Sequence, residues 1–302
     1  MLHIEVGSDK SLAKPASALS AEGTHVDYSD DKMIFTVNGK AAINLILASL
    51  QLNPDDEVYI TSSFGARYVS KCVTCSVFNH CQPSKVITTG TRLIYIIHEF
   101  GVPHPETVAL LKLATERNIP VLEDCAHSSN SYFDDGKKVG SKGDFVIYSL
   151  KKIFPMPVGG ALKINKTNFL SEEKLKELQS KSLPAIEEEF RMYATAEDQF
   201  SQQRRAIFSA LQSFVPYKSH FAINEKISPY VFSFEYPEPS KFVAKFNERH
   251  GELCECVTWY GYPIVSFPTH QLMDEKTILS IGDAIRQTIA ELEQLSTDTS
   301  KP

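Results

Sequence analysis

The chain has 302 residues, 42% of them hydrophobic, enough to bury a substantial core and to divide into one large and one small domain. Its formal charge of −6, with Lys and Arg scattered along its length, argues against a nucleic-acid footprint. No apolar stretch reaches membrane-spanning length and the opening MLHIEVGSDK carries no signal-peptide pattern, so a cytoplasmic location is expected.

In chain order, residues 41–50 form a compact helical run that breaks at Asn53-Pro54-Asp55-Asp56, and 57–60 resume as a strand. A strand around 93–97 comes next. Pro105-Glu106 then starts a helix with apolar positions Val108, Leu111 and Ala114, ending near Asn118. The apolar run 119–122 completes a β-α-β unit. A further strand over 145–148 leads into Ser149-Leu150-Lys151-Lys152, read as extended, and Gly159-Gly160 open another apolar strand. Residues 170–203 are charge-rich and helical in pattern, which suggests a connector. Beyond them, strands at 230–234 and 264–267 mix with helices at 240–250 and 278–295. Ile278, Ile281, Ile285, Ile289 and Leu292 form one core-facing stripe of the last helix. The final SerThrAspThrSerLysPro is expected to be disordered. This alternation predicts an α/β layer structure, with a large domain and connector helix over 1–200 and a small α/β domain over 201–302.

Chemistry concentrates between Ile119 and Gly160. The first residues beyond a probable parallel strand are Glu123 and Asp124, at the strand end where open α/β sheets hold ligands. A carboxylate there can keep a pyridine nitrogen protonated, which lets the ring accept electrons. Asp124 is the better candidate of the two. A lysine after the next strand, Lys152 or Lys151, can carry an aldehyde cofactor covalently. Each residue also has an ordinary use, as turn former, surface lysine or close-approach glycine. Their joint order is the informative signal. Cys72, Cys75 and Cys81 lack a second, well-separated ligand pair, so free thiols are expected rather than a zinc site.

This order resembles the DegT/StrS family of fold-type I enzymes that use pyridoxal 5′-phosphate (PLP), best known as sugar aminotransferases. The likeness extends upstream through ValAsnGlyLysAlaAla (37–42) and HisGluPheGlyValPro (98–103). Downstream it includes Arg204-Arg205, Thr258-Trp259 and PheProThrHisGln (267–271), as in a shorter branch of the family. The resemblance implies that Asp124 meets the pyridine nitrogen and that His127 contacts the ring or its 3′-hydroxyl. It makes Lys152, seven residues before Gly159, the Schiff-base lysine, with Lys151 as fallback. Ser149 falls near the phosphate-binding serine, although three residues before Lys152 instead of five. Gly39 and Lys40 fall where helix N-terminal amides would hold the phosphate, and Gly39 is expected to matter for the conformation it permits. Phe64 is the nearest candidate for ring stacking, with Gly65 at another alignment position. Val158 stands where the short branch has an acid, and the segment from Phe64 to His98 reads as too short for a strand-and-helix insertion.

The resemblance further implies a homodimer with active sites at the subunit interface, and amino transfer from Glu or Gln to a nucleotide-linked keto-sugar. Two alternatives stay open at this stage. One is a PLP-fold protein that has lost catalysis and serves as a binding or regulatory module. The other is a PLP-dependent sugar dehydratase; in relatives of that type His replaces the lysine, so Lys152 argues against it.

Overall fold

The computed structural model describes residues 33–66, 69–259 and 261–298. Contacts divide these into two units, 33–200 with Glu225–Ser228, and Ser201–Asn224 with 229–298. The division falls inside the helix Glu197–Gln212.

The first unit is built on seven strands: β1 (Met33–Thr36), β2 (Glu57–Ser62), β3 (Gln82–Ser84), β4 (Thr91–Ile97), β5 (Val121–Asp124), β6 (Phe145–Tyr148) and β7 (Gly160–Ile164). Their order in the sheet is β1-β7-β6-β5-β4-β2-β3. Strands β3, β2, β4, β5 and β6 run parallel, whereas β7 is antiparallel to both β6 and β1. Parallel strands are covered on both faces, so they read as continuous apolar runs, as Leu93 to Ile97 does.

One face is covered by α1 (Gly39–Ser49), which buries Ala42, Ile43, Ile46 and Leu47 against Leu93, Tyr95, Ile97 and Leu122. The other face receives α3 (Thr107–Arg117), whose Leu110 and Ala114 pack with Ile94, Ile96 and Val121. Each Ile, Leu or Val side chain buried in this way contributes about 1.5–3 kcal/mol. Between them in sequence lies α2 (Lys71–Phe78). Beyond β6 come α4 (Leu150–Ile153), α5 (Glu172–Ser180), α6 (Pro184–Ala194) and α7 (Glu197–Gln212).

The second unit holds β8 (Val231–Glu235), α8 (Pro239–His250), β9 (Val257–Thr258), β10 (Ile264–Pro268) and α9 (Glu275–Asp298). Its antiparallel sheet runs β8-β10-β9. Phe242, Phe246 and Phe267 interleave in its core at ring separations of 4.9–6.3 Å. Arg204 and Gln271, quoted above as parts of separate sequence motifs, meet here: Arg204 Nε donates to Gln271 Oε1 at 3.0 Å.

The differences from the sequence reading have physical reasons. The segment between Phe64 and His98, read as too short for the family's strand-and-helix insertion, holds α2, β3 and all of β4. On α3, Thr107, Leu110 and Ala114 face inward while Val108 is 66% exposed, because the core-facing stripe runs through 107, 110 and 114, with Leu111 at its margin and Val108 off it. Ser149 to Lys152 is not extended: Ser149 leads into the single turn of α4. The α9 stripe is buried at Ile281, Ile285 and Ile289, with Ile278 and Leu292 at its margins. Of the terminal segment expected to be disordered, 296–298 belong to α9 and 299–302 lie outside the described residues, as does the opening decapeptide.

Candidate active site

Strand register gathers the candidate residues at the carboxyl ends of the central parallel strands. Asp124 pairs with Ile97 on one side and Ile147 on the other, so the ends of β4, β5 and β6 coincide. Side chains alternate across a strand, which sends the adjacent acids Glu123 and Asp124 to opposite faces.

Glu123 turns toward His98. Its carboxylate accepts from His98 Nε2 at 2.8 Å and from the amides of Gly140, Lys142 and Gly143, all within an interior where both side chains are 0% exposed. Burial opposes its ionisation, but the hydrogen bonds from His98 and the backbone outweigh this and hold the carboxyl below its usual range. His98 Nδ1 accepts the His104 amide at 3.0 Å, so the ring carries its proton on Nε2. Glu123 is therefore consumed by structure.

Asp124 turns to the other face, beneath α1. Oδ1 accepts the Ala126 amide at 2.9 Å and Oδ2 accepts the Tyr95 hydroxyl at 2.8 Å. Burial raises its pKa above the ordinary value, against the downward pull of those two donors and of the Lys152 charge.

Lys152 lies on α4, where one helical turn separates its direction from that of Lys151 by about 100° per residue. Lys152 Nζ is 3.0 Å from His127 Nε2. His127 is held in turn by Phe100, whose amide approaches Nδ1 at 3.4 Å and whose ring lies parallel to the imidazole at 6.4 Å. Phe100 is fully buried at φ +58, a left-handed conformation uncommon for a bulky residue. Phe64 packs against Phe100 at 5.7 Å.

The start of α1 closes the site. Asn38 caps the helix through Oδ1, which accepts the Ala41 amide at 2.9 Å, while the amides of Gly39 and Lys40 begin the helix without intrahelical acceptors. Gly39 is buried, and a Cβ there would lie 3.3 Å from both Ser149 Cβ and the Tyr148 carbonyl oxygen. Space, not a positive φ, calls for glycine at 39, which corrects the conformational expectation. Gly160 is more constrained still, since a Cβ would meet the carbonyl of Asn38 and the amide nitrogen of Gly39. Gly159 N donates to Val37 O at 2.9 Å, tying β7 to the same turn. Lys40 is exposed at the helix start.

The candidates thus fall into three contact groups: Asp124 with Tyr95, Gly39 with Ser149, and Lys152 with His127, Phe100 and Phe64. Sequence reasoning missed Tyr95 and Phe100. A single tyrosine in the aliphatic run LIYII, of the same strand parity as Asp124, was the available signal for Tyr95. Among the described residues no cluster of His, Cys, Asp and Glu suits a metal ion, and all six cysteines are free thiols. No helix among them is long and apolar enough to cross a membrane.

A family model described as the DegT/DnrJ/EryC1/StrS aminotransferase family matches residues 22–194, more than half of the chain. The chain is 32% identical over 143 residues to a GDP-perosamine synthase of Escherichia coli O157:H7, covering 43% of this chain and 37% of that protein. It is 26% identical over 152 residues to an L-glutamine:scyllo-inosose aminotransferase of Streptomyces griseus, covering 45% and 35% respectively. These matches span well under half of the curated relatives' length. The aminotransferase TlmJ from Streptoalloteichus hindustanus superposes with a TM-score of 0.72 at 14% identity, over 87% of each chain.

Proposed function

The chain belongs to the DegT/DnrJ/EryC1/StrS aminotransferase family, and from that premise we propose that it is a PLP-dependent aminotransferase. Its fold is the fold-type I α/β arrangement with a smaller α/β unit that the resemblance implied. We assign it transfer of an amino group from Glu or Gln to a nucleotide-linked keto-sugar, a step of sugar biosynthesis. Two relatives, a GDP-perosamine synthase and an L-glutamine:scyllo-inosose aminotransferase, support that substrate pair.

The observation that carries the reading is the gathering, at the carboxyl ends of β5 and β6, of the buried Asp124 carboxylate, the Lys152 amine beside His127, and the α1 start packed on Ser149. This donor set suits PLP. Asp124 would hold the ring nitrogen, Lys152 the aldehyde carbon, and the Gly39 and Lys40 amides with Ser149 the phosphate, where the helix dipole favours an anion. Phe64 and His127 would border the ring. When bound, the cofactor supplies an aldehyde that captures amines and a ring that accepts the electron pair released from a substrate Cα–H bond.

The remaining chemistry belongs to the chain. Lys152 Nζ would take the proton from the donor's Cα, with His127 Nε2, 3.0 Å away, holding that nitrogen in place. Asp124 would face the ring nitrogen with its carboxylate from a buried position.

A homodimer with sites at its interface belongs to the same proposal. Val37 and Val158, 51% and 46% exposed beside the α1 start, offer apolar surface there. Six free thiols fit a cytoplasmic home. Incubation of the purified protein with PLP tests the reading: an absorbance band of the lysine-bound cofactor should appear and be lost on adding Glu or Gln. Absence of any band at saturating PLP would favour the non-catalytic binding module.

A further inference from the structure

We propose that Tyr95 is a positioning residue that keeps the proton shared between Asp124 and the cofactor on the ring nitrogen, an inference that rests on the PLP reading above. Its hydroxyl donates to Asp124 Oδ2 at 2.8 Å, with Tyr95 0% and Asp124 5% exposed. Strand parity accounts for the contact. Tyr95 and Asp124 stand on neighbouring parallel strands, with Tyr95 opposite Leu122 and Ile97 opposite Asp124, and both side chains turn to the α1 face.

A pyridine nitrogen acts as an electron sink only while protonated. Once a carboxylate is buried against it, the two compete for one proton, and the weaker base loses it. Burial makes Asp124 a stronger base than an ordinary aspartate. A carboxylate in that condition draws the proton from the ring and leaves an unactivated pyridine. Two donors oppose this, the Ala126 amide on Oδ1 and the Tyr95 hydroxyl on Oδ2. The amide is fixed by the turn after β5. Tyr95 is the side-chain contribution, and burial first, then the neighbouring Asp124, raise its own ionisation well above the ordinary value, so it remains a donor at every working pH. The other titratable groups acting on the pair are Lys152 of α4, His98 after β4, Cys72 of α2 and Cys125. Tyr95 reaches the carboxylate through a direct hydrogen bond.

The experiment uses the full chain loaded with PLP carrying 15N in its ring. In the wild type the ring nitrogen should resonate as a pyridinium. In Tyr95→Phe, which keeps the buried volume, the resonance should move toward unprotonated pyridine. In cofactor-free protein, infrared difference spectra against Asp124→Asn should show the Asp124 acid carbonyl persisting about one pH unit higher in Tyr95→Phe than in the wild type, since a hydrogen bond to a charged group is lost. Should Tyr95→Phe fold poorly, 3-fluorotyrosine at position 95 keeps ring and donor; it should strengthen the bond and lower the acid carbonyl's titration. Identical 15N shifts and identical carbonyl titrations across these proteins would overturn the role of Tyr95 while leaving the PLP reading standing. Failure of the wild type to bind PLP would overturn both.

Discussion

Gly160 leaves no room for a side chain against Asn38: a Cβ at position 160 would collide with the Asn38 carbonyl and lie 2.5 Å from the Gly39 amide nitrogen. The second glycine of the Gly159-Gly160 pair thus allows β7 to pass directly behind the helix start proposed to hold the phosphate. Gly160→Ala must push the turn at 38–39 away from β7. We expect a loss of about 1–3 kcal/mol in urea unfolding of cofactor-free protein, as for other overpacked positions, together with weaker PLP binding. Wild-type stability and affinity in the variant would refute the close packing.

Gly39→Val should weaken PLP binding more than Lys40→Ala in direct titration. A side chain at 39 is driven into Ser149 and the Tyr148 carbonyl, each 3.3 Å from the first added carbon, which displaces the helix amides. Lys40 is exposed, and its removal deletes only a screened charge. A reversed order would mean that the Lys40 charge, not the backbone, holds the anion.

Borohydride reduction of PLP-loaded protein followed by peptide mapping should place the pyridoxyl label on Lys152, and Lys152→Ala should abolish half-transamination with the fold intact. Asp124→Asn should slow the same half-reaction by a factor on the order of 10², because an amide cannot carry the charge that the ring nitrogen needs. His127→Ala should cost less. Label on Lys151 would move the register by one residue, and label on neither would end the aminotransferase assignment.

Stability should fall with acid through a histidine outside the site. His104 is 4% exposed; Nδ1 accepts the Glu106 amide at 3.1 Å and Nε2 lies 2.9 Å from Thr61 Oγ1. Protonation would break the Glu106 contact, and burial, with a smaller contribution from His98, lowers its pKa from 6.5 to about 4. The unfolded chain therefore takes up the proton first. This contribution is complete above about pH 6.5 and is lost between that value and about 4. In His104→Asn, whose side-chain oxygen can still accept the Glu106 amide, denaturation midpoints should be flatter across that window. Equal slopes for variant and wild type would remove His104 from the pH dependence.

The sequence alone determined the alternation of strands and helices, the strand at Phe145–Tyr148, the Asp124, Lys152 and Gly159-Gly160 order, and hence the family. Those features are local: apolar period, cap and turn residues, and spacing along the chain. It preferred Asp124 to the adjacent Glu123 without a geometric reason, and register supplies one, since the pairing of β4 with β5 gives Glu123 to His98 and Asp124 to Tyr95. It also assigned the Ser149–Lys152 stretch an extended form, where tertiary packing winds it into one turn of helix and brings Lys152 to His127. The need for glycine at 39 was legible as a motif, but its cause was not. Local sequence can report a preferred φ, whereas the space left by Ser149 exists only after β6, β7 and α1 have come together.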